Sequence, residues 1–245
     1  MSEARTVLLL AALACATPAS AQSAGDGFLF GEPSWSLALR GGLAVPTAGS
    51  DIFAFTTRQL TLNRSDFDSM DASLELALRL MPRLDLVFNV AYSGIDKGSE
   101  SRDYMGSDGL PIQQSTTFRR IPITLSGRYY LLDRGRSVGH FAWVPARFAP
   151  YIGAGAGLMN YTFSQSGEFV DDSTKNIFSD QFNSSGWTPM AQALAGIDWS
   201  FGPRWALTTE AKYVSASANL GSDFVGFHRI DLSGFSTSVG FFVRF

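Results

Sequence analysis

Eight stretches of this sequence alternate apolar and polar residues with a period of two, each over roughly ten positions. That period restricts them to β-strands with two unlike faces. The first sets Trp35, Leu37, Leu39, Leu43 and Val45 against Ser36, Ala38, Arg40 and Gly42, and the second sets Leu74, Leu76, Leu78 and Leu80 against Ser73, Glu75, Ala77 and Arg79. Met81 to Arg83 make a short turn, and Leu84, Leu86, Phe88, Val90 and Tyr92 follow opposite Asp85, Val87, Asn89 and Ala91, so these two runs read as one hairpin. The remaining runs are Arg120–Leu131, Tyr151–Leu158, Ala191–Phe201, Trp205–Val214 and Phe235–Phe245.

A soluble barrel alternates as well, so the solvent outside must be read from other asymmetries. Trp35, Tyr129, Trp199, Phe201, Trp205 and Phe245 fall at strand ends on one rim, and with Tyr92 and Tyr213 they make the aromatic girdle expected at a membrane–water boundary. The connections also alternate in length. Those from Pro46 to Met70, Ile95 to Thr117, Tyr161 to Trp187 and Ser217 to Ile230 are long and polar, whereas Met81–Arg83 and Gly202–Arg204 are short. Long outer loops and short periplasmic turns are the outer-membrane pattern. The fold expected is therefore all-β, an eight-stranded antiparallel up-and-down transmembrane β-barrel, with a soluble lipocalin-like secreted barrel as an alternative. One periplasmic connection, Asp133 to Ala149, is long and carries Arg134, Arg136, His140 and Arg147. It reads either as an elongated turn or as a contact for a periplasmic or inner-leaflet partner.

The N-terminus supplies the matching export signal. Arg5 precedes an apolar stretch from Val7 to Ala16, and Ala19-Ser20-Ala21 follows as a cleavage site. Ten apolar residues fall short of the roughly 20 that cross a bilayer as a helix. Residues 1–21 are expected to be a signal peptide, 22–33 a short periplasmic segment and 34–245 the barrel. Cys15, the only cysteine, leaves with the signal; as a lipoprotein site it is poorly placed, because Ala12 stands where leucine is preferred. A net charge of -3 gives no basic surface for nucleic acid.

Three stretches resemble the outer-membrane β-barrel domain family that includes the OmpA-type transmembrane domain, OmpX and OmpW-like small barrels. They are Arg120-Ile-Pro-Ile-Thr-Leu-Ser-Gly-Arg-Tyr-Tyr-Leu, Pro150-Tyr-Ile-Gly-Ala-Gly-Ala-Gly, and Gly196-Ile-Asp-Trp-Ser-Phe with Arg204-Trp-Ala-Leu-Thr-Thr-Glu-Ala-Lys-Tyr. The end of the chain, where Val239, Phe241, Val243 and Phe245 alternate, resembles the signal such proteins present to the β-barrel assembly machinery. The resemblance implies residence in the outer membrane of a Gram-negative-type envelope, with lipid and that machinery as partners. The chain ends at Phe245, where full-length OmpA-type proteins continue into a peptidoglycan-binding domain, and no such domain is expected here.

Candidate chemical sites are few. Gly153, Gly155 and Gly157 lack the third glycine of a dinucleotide fingerprint, and their period of two places them on one face, where they leave room in a narrow interior. Two histidines, His140 and His228, are too few for a multi-histidine zinc site, and no metal or cofactor is expected. His228 lies near Asp223 and Asp231, but Ile230 stands where the lipid A deacylase barrels carry serine, so no catalytic residue is assigned. The inward face is the more telling surface. Arg40, Glu75, Arg79, Asp85, Arg128, Asp198, Glu210, Lys212 and Arg244 project into an interior that eight strands leave just wide enough for side chains. Opposite charges there should pair, because unpaired burial is costly. The function expected is structural or surface-interacting, around a plugged lumen, with Arg40, Glu75, Glu210 and Lys212 as its central cluster. The rival is a narrow channel or lateral portal for small hydrophobic compounds, with Tyr130, Tyr151 and Phe242 along the path. Oligomeric state is not legible.

Overall fold

The structure is a computed structural model that describes residues 27–106, 109–171, 174 and 176–245. The signal segment and Cys15 lie outside the described residues. Among the described residues, twelve strands and one α-helix follow in chain order: β1 (Leu29–Phe30), β2 (Trp35–Pro46), α1 (Asp51–Gln59), β3 (Ser69–Met81), β4 (Leu84–Met105), β5 (Pro111–Tyr130), β6 (Gly135–Val138), β7 (Ala142–Pro145), β8 (Phe148–Val170), β9 (Ile177–Ser200), β10 (Trp205–Ala218), β11 (Ile230–Asp231) and β12 (Gly234–Arg244). Strands β2, β3, β4, β5, β8, β9, β10 and β12 form an antiparallel ring in which each pairs with the next. The ring closes where β12 meets β2, from Gly234↔Pro46 to Arg244↔Ser36. With no edge in the ring, the backbone groups of its strands find partners within the sheet, as a medium without hydrogen-bonding water requires.

Burial follows the period of two. Along β3, residues 69 to 78 alternate strictly between buried and exposed. Leu39, Leu74, Leu76, Leu78, Phe88, Leu125, Ile152, Ile197, Val239 and Phe241 are all exposed on the outside, while Arg40, Ser73, Glu75, Asn89, Ser126 and Gln192 are buried inside. A soluble barrel would reverse this arrangement. An apolar outer belt around a polar interior is the surface of a barrel that spans a bilayer.

Strand length divides the ring into two halves. Strands β2, β3, β10 and β12 have 12, 13, 14 and 11 residues, close to the 9–11 or so that cross a bilayer at a tilt. Strands β4, β5, β8 and β9 have 22, 20, 23 and 24, so about ten residues of each rise some 30 Å beyond the belt. Here the structure corrects the sequence reading. The segments Ile95–Thr117 and Tyr161–Trp187 are largely strand, paired from Ile95↔Phe118 to Glu100↔Gln113 and from Tyr161↔Gly186 to Val170↔Ile177. Above the membrane both faces of a strand meet water or packed protein, and the apolar alternation that marks a lipid-facing strand is lost.

The other two long connections are also not solvated loops. Residues 47–68 fold into α1 and a 3₁₀ turn, Arg64–Phe67, and residues 219–233 fold over them. Ile52, Phe53 and Thr56 are buried on α1, and Ile52 and Phe53 together with Phe67, Phe118, Phe163, Phe224, Ile230 and Leu232 make a hydrophobic core across the mouth of the barrel opposite the C-terminus. Phe53 meets Phe67, Phe118 and Phe163 edge-on at 4.9, 5.3 and 5.6 Å, the aromatic geometry favoured by the ring quadrupoles.

Residues 133–149 form an elongated turn. Its strand β7 pairs with β6 on one side and with β1 on the other in a small three-stranded sheet below the barrel.

Candidate functional site in the barrel lumen

The interior carries charge at three levels. At the centre, five strands converge: Arg40 from β2, Glu75 from β3, Arg128 from β5, Tyr151 from β8 and Glu210 from β10. The Arg40 guanidinium donates to the Glu75 carboxylate, and Arg128 lies 2.7 Å from Glu75 and 3.4 Å from Glu210. Arg40 is also 3.6 Å from Glu210. The Tyr151 hydroxyl donates to Glu210 at 3.1 Å, and its ring lies under the Arg128 guanidinium at 4.5 Å. Two cations and two anions thus interleave, so each carboxylate faces two guanidinium groups and the buried set is neutral.

Glycine makes this level fit. Tyr151, Gly196 and Glu210 are in register across β8, β9 and β10, and a Cβ on Gly196 would come within 2.4 Å of the Tyr151 ring. A Cβ on Gly240 would sit 2.7 Å from Arg40. Gly155 and Gly157 likewise leave no room for a Cβ beside the backbone of β5, so the glycine run serves packing in this interior.

Towards the outer mouth, Asp71, Arg120 and Lys212 line a cavity of about 30 Å³, and Arg120 donates to the Leu232 carbonyl of the cap at 3.1 Å. Towards the end of the barrel that carries the C-terminus, the Asp85 carboxylate takes two 2.7 Å bonds from Arg134, whose guanidinium lies 4.6 Å from the Tyr130 ring. Tyr130 donates to Asp198 at 2.9 Å, Arg244 donates to Ser200 at 2.8 Å, and Arg79 pairs with Glu32 at 2.7 Å. Trp143 of β7 is 2% exposed beneath them. The cavity at this level is about 20 Å³, the space of a single water.

The nine charged residues singled out in the sequence therefore do not form one cluster. Arg40, Glu75, Arg128 and Glu210 come together, Lys212 belongs to the level beneath the cap, and Arg79, Asp85, Asp198 and Arg244 belong to the level near the C-terminus. Tyr130, Tyr151 and Phe242, considered as a path for a ligand, are 3%, 1% and 6% exposed and fill the interior. Asp71, Arg120 and Arg134 were missed as members. Asp71 was within reach, because it continues the period of Ser73 and Glu75. Arg134 was not, since it enters from a turn.

The aromatic residues form two levels on the outside. At the strand ends near the C-terminus Trp35 stacks on Phe245 at 4.1 Å and Trp199 on Phe148 at 5.8 Å, with Tyr129, Phe201 and Trp205 exposed beside them. Tyr92 and Tyr213 lie further along β4 and β10 and are exposed, as are Trp187 and Phe235.

His228 is not placed with Asp223 or Asp231. Its ring Nδ1 lies 2.7 Å from Asp51, which also accepts the His228 backbone N–H at 2.9 Å. Asp223 accepts the Asn183 N–H, and Asp231 accepts those of Gly49 and Ser233. The hydrolytic grouping weighed in the sequence is thus not assembled. The N–H of His228, with its ring, holds the Asp51 carboxyl below the usual carboxylate range.

No family model matches the chain, and no curated protein matches it. Among solved structures it is similar to Neisserial surface protein A, at 13% identity over 90% of this chain and 98% of that one, with a TM-score of 0.47. It is similar to Ail, the attachment invasion locus protein of Yersinia pestis, at 11% identity over 88% and 100%, with a TM-score of 0.45. It is also similar to the outer membrane protein OprG from Pseudomonas aeruginosa, at 15% identity over 89% and 99%, with a TM-score of 0.44.

Proposed function

We propose that this protein is an outer-membrane barrel that does not conduct and does not catalyse, and whose role is to hold a folded surface outside the cell. The observation that supports this reading most is the unequal length of the strands. Four of the eight continue far past the lipid belt as a paired sheet, and the connections on the same side fold into a hydrophobic cap. Rigid extracellular structure of this size has a cost in synthesis and export that a passive bilayer span does not need. The lumen beneath is occupied at three levels, which supports a structural rather than a transport role. Tyr130, Tyr151 and Phe242 fill the space that a portal for small hydrophobic compounds would use.

The exposed side chains Val239, Phe241 and Phe245 on β12 are, on this reading, both lipid contacts and the feature read by the assembly machinery. The orientation places β1, β6 and β7 in the periplasm and α1 outside. Protease treatment of intact cells tests it. Cleavage should fall near residues 106–110 and 171–176, between the long strands, and a heat-dependent mobility shift on SDS gels should mark the protected barrel. Protein recovered from the soluble fraction without that shift would overturn the reading.

A further inference from the structure

Between α1 and the raised parts of β4, β5 and β8 lies a cleft of about 240 Å³ that the lumen does not share. Its base is apolar, with Leu60 and Ile112 each 2% exposed. Phe55 of α1 and Phe169 of β8 also line it, and the polar lining is supplied by Thr56, Gln59, Ser101, Tyr104, Gln114 and Gln165. No Asp, Glu, Lys or Arg lines it. Its polar groups are held in place: Gln165 donates to Thr56 at 3.2 Å and Gln114 donates to the Glu168 carbonyl at 2.8 Å. Gly167, at a φ of 136°, makes this approach available, because a Cβ there would meet the Gln113 carbonyl at 2.3 Å.

We propose that this cleft binds one uncharged pyranose ring of a cell-surface or environmental glycan. A pocket below the ~300–1,000 Å³ that accommodates drug-sized ligands suits a single ring. A charged ligand would lose its hydration to a lining that holds no counter-charge. A wholly apolar one would strip water from three amides and a phenol without replacing their hydrogen bonds. A neutral sugar meets both demands. Its C–H face packs against Phe55 or Phe169, and its hydroxyls, each donor and acceptor, match amides that also offer both. The site rests on the reading that this end of the barrel faces outward, since the periplasmic side would present it with different sugars.

The test uses the full chain folded in a phosphocholine detergent, since glucoside detergents would compete. Saturation-transfer NMR is run with the methyl glycosides of glucose, galactose and N-acetylglucosamine, with glucuronate and indole as the charged and apolar comparisons. Saturable binding of at least one neutral glycoside is expected, with a dissociation constant on the order of 1 mM. It should weaken at least tenfold in Gln59→Ala and in Phe55→Ala, both of which keep the heat-dependent mobility shift. Absence of saturable binding, preference for glucuronate or indole, or unchanged binding in both variants would overturn the proposal. A fluorescent polymer of the bound sugar is then applied to intact cells: labelling supports both claims, while binding by purified protein alone keeps the site and refutes its outward orientation.

Discussion

Glu75 faces both Arg40 and Arg128 at closer range than Glu210 does. Removing one partner of a buried pair leaves an uncompensated charge, at a cost of about 3–5 kcal/mol. Glu75→Ala should lower stability by that amount in urea unfolding from detergent. The pair substitution Arg40→Met with Glu75→Leu removes one charge of each sign and leaves Arg128 facing Glu210, so it should cost clearly less than Glu75→Ala alone. At the surface, Asp51 anchors residue 228 to the start of α1. Its carboxyl is held below its usual value of 3.8 in the folded chain, so the contribution is complete above that value and is lost as pH falls through the lowered one. Pepsin cleavage of residues 219–229 should therefore rise only in the most acid part of its range, and the rise should be absent in Asp51→Asn.

Among the elements, the lipid-facing strands were legible and their extensions were not. The runs from Leu74 to Leu80 and from Leu84 to Tyr92 show their register because lipid on one side and a polar lumen on the other impose opposite demands at successive positions. Past Tyr92 the solvent changes while the strand does not. Asp96, Lys97 and Glu100 then face water on a continuing β4, and a rule built on the bilayer reads them as loop. The cap was illegible for another reason. Ile52, Phe53 and Phe67 are few, follow no strand period and are useful only once Phe118, Phe163 and Phe224 arrive from β5, β8 and the last long connection. The raised β4 is also shielded in a way no local pattern reveals, because Thr61 donates its N–H to the Glu100 carbonyl at 2.8 Å and Arg102 donates to the Leu60 carbonyl at 2.7 Å. Ser101, in a segment that reads as an exposed polar connection, is 8% exposed.

Two substitutions separate these elements. Leu76→Arg, within the belt on β3, should cost about 2–4 kcal/mol, whereas Ser179→Arg, exposed on the raised part of β9, should change unfolding by less than about 0.5 kcal/mol. Equal costs would contradict the assigned position of the bilayer. Phe53→Ala should cost about 3–5 kcal/mol locally. Because the ring is closed by backbone pairing that the cap does not supply, it should open residues 47–68 to protease while the heat-dependent mobility shift of the barrel persists.

For the whole molecule, closure of the ring and closure of the lumen are distinct achievements. The ring closes through backbone pairing of β12 with β2, and its outer belt satisfies the bilayer. On the function proposed, the lumen is closed at three levels: by the aromatic cap, by the Arg40–Glu75–Arg128–Glu210 set, and by Asp85–Arg134 with Trp143 beneath. The cavities beside these levels, one lined by Asp85, Arg134 and Trp143 and one by Asp71, Arg120 and Lys212, measure about 20 and 30 Å³. Planar-bilayer recording of the purified wild-type chain is the most direct measurement of this claim. No steady conductance should appear, and none should appear in Phe53→Ala or Trp143→Ala alone, since each leaves the central level intact. A stable open channel in the wild type would contradict the closed lumen outright.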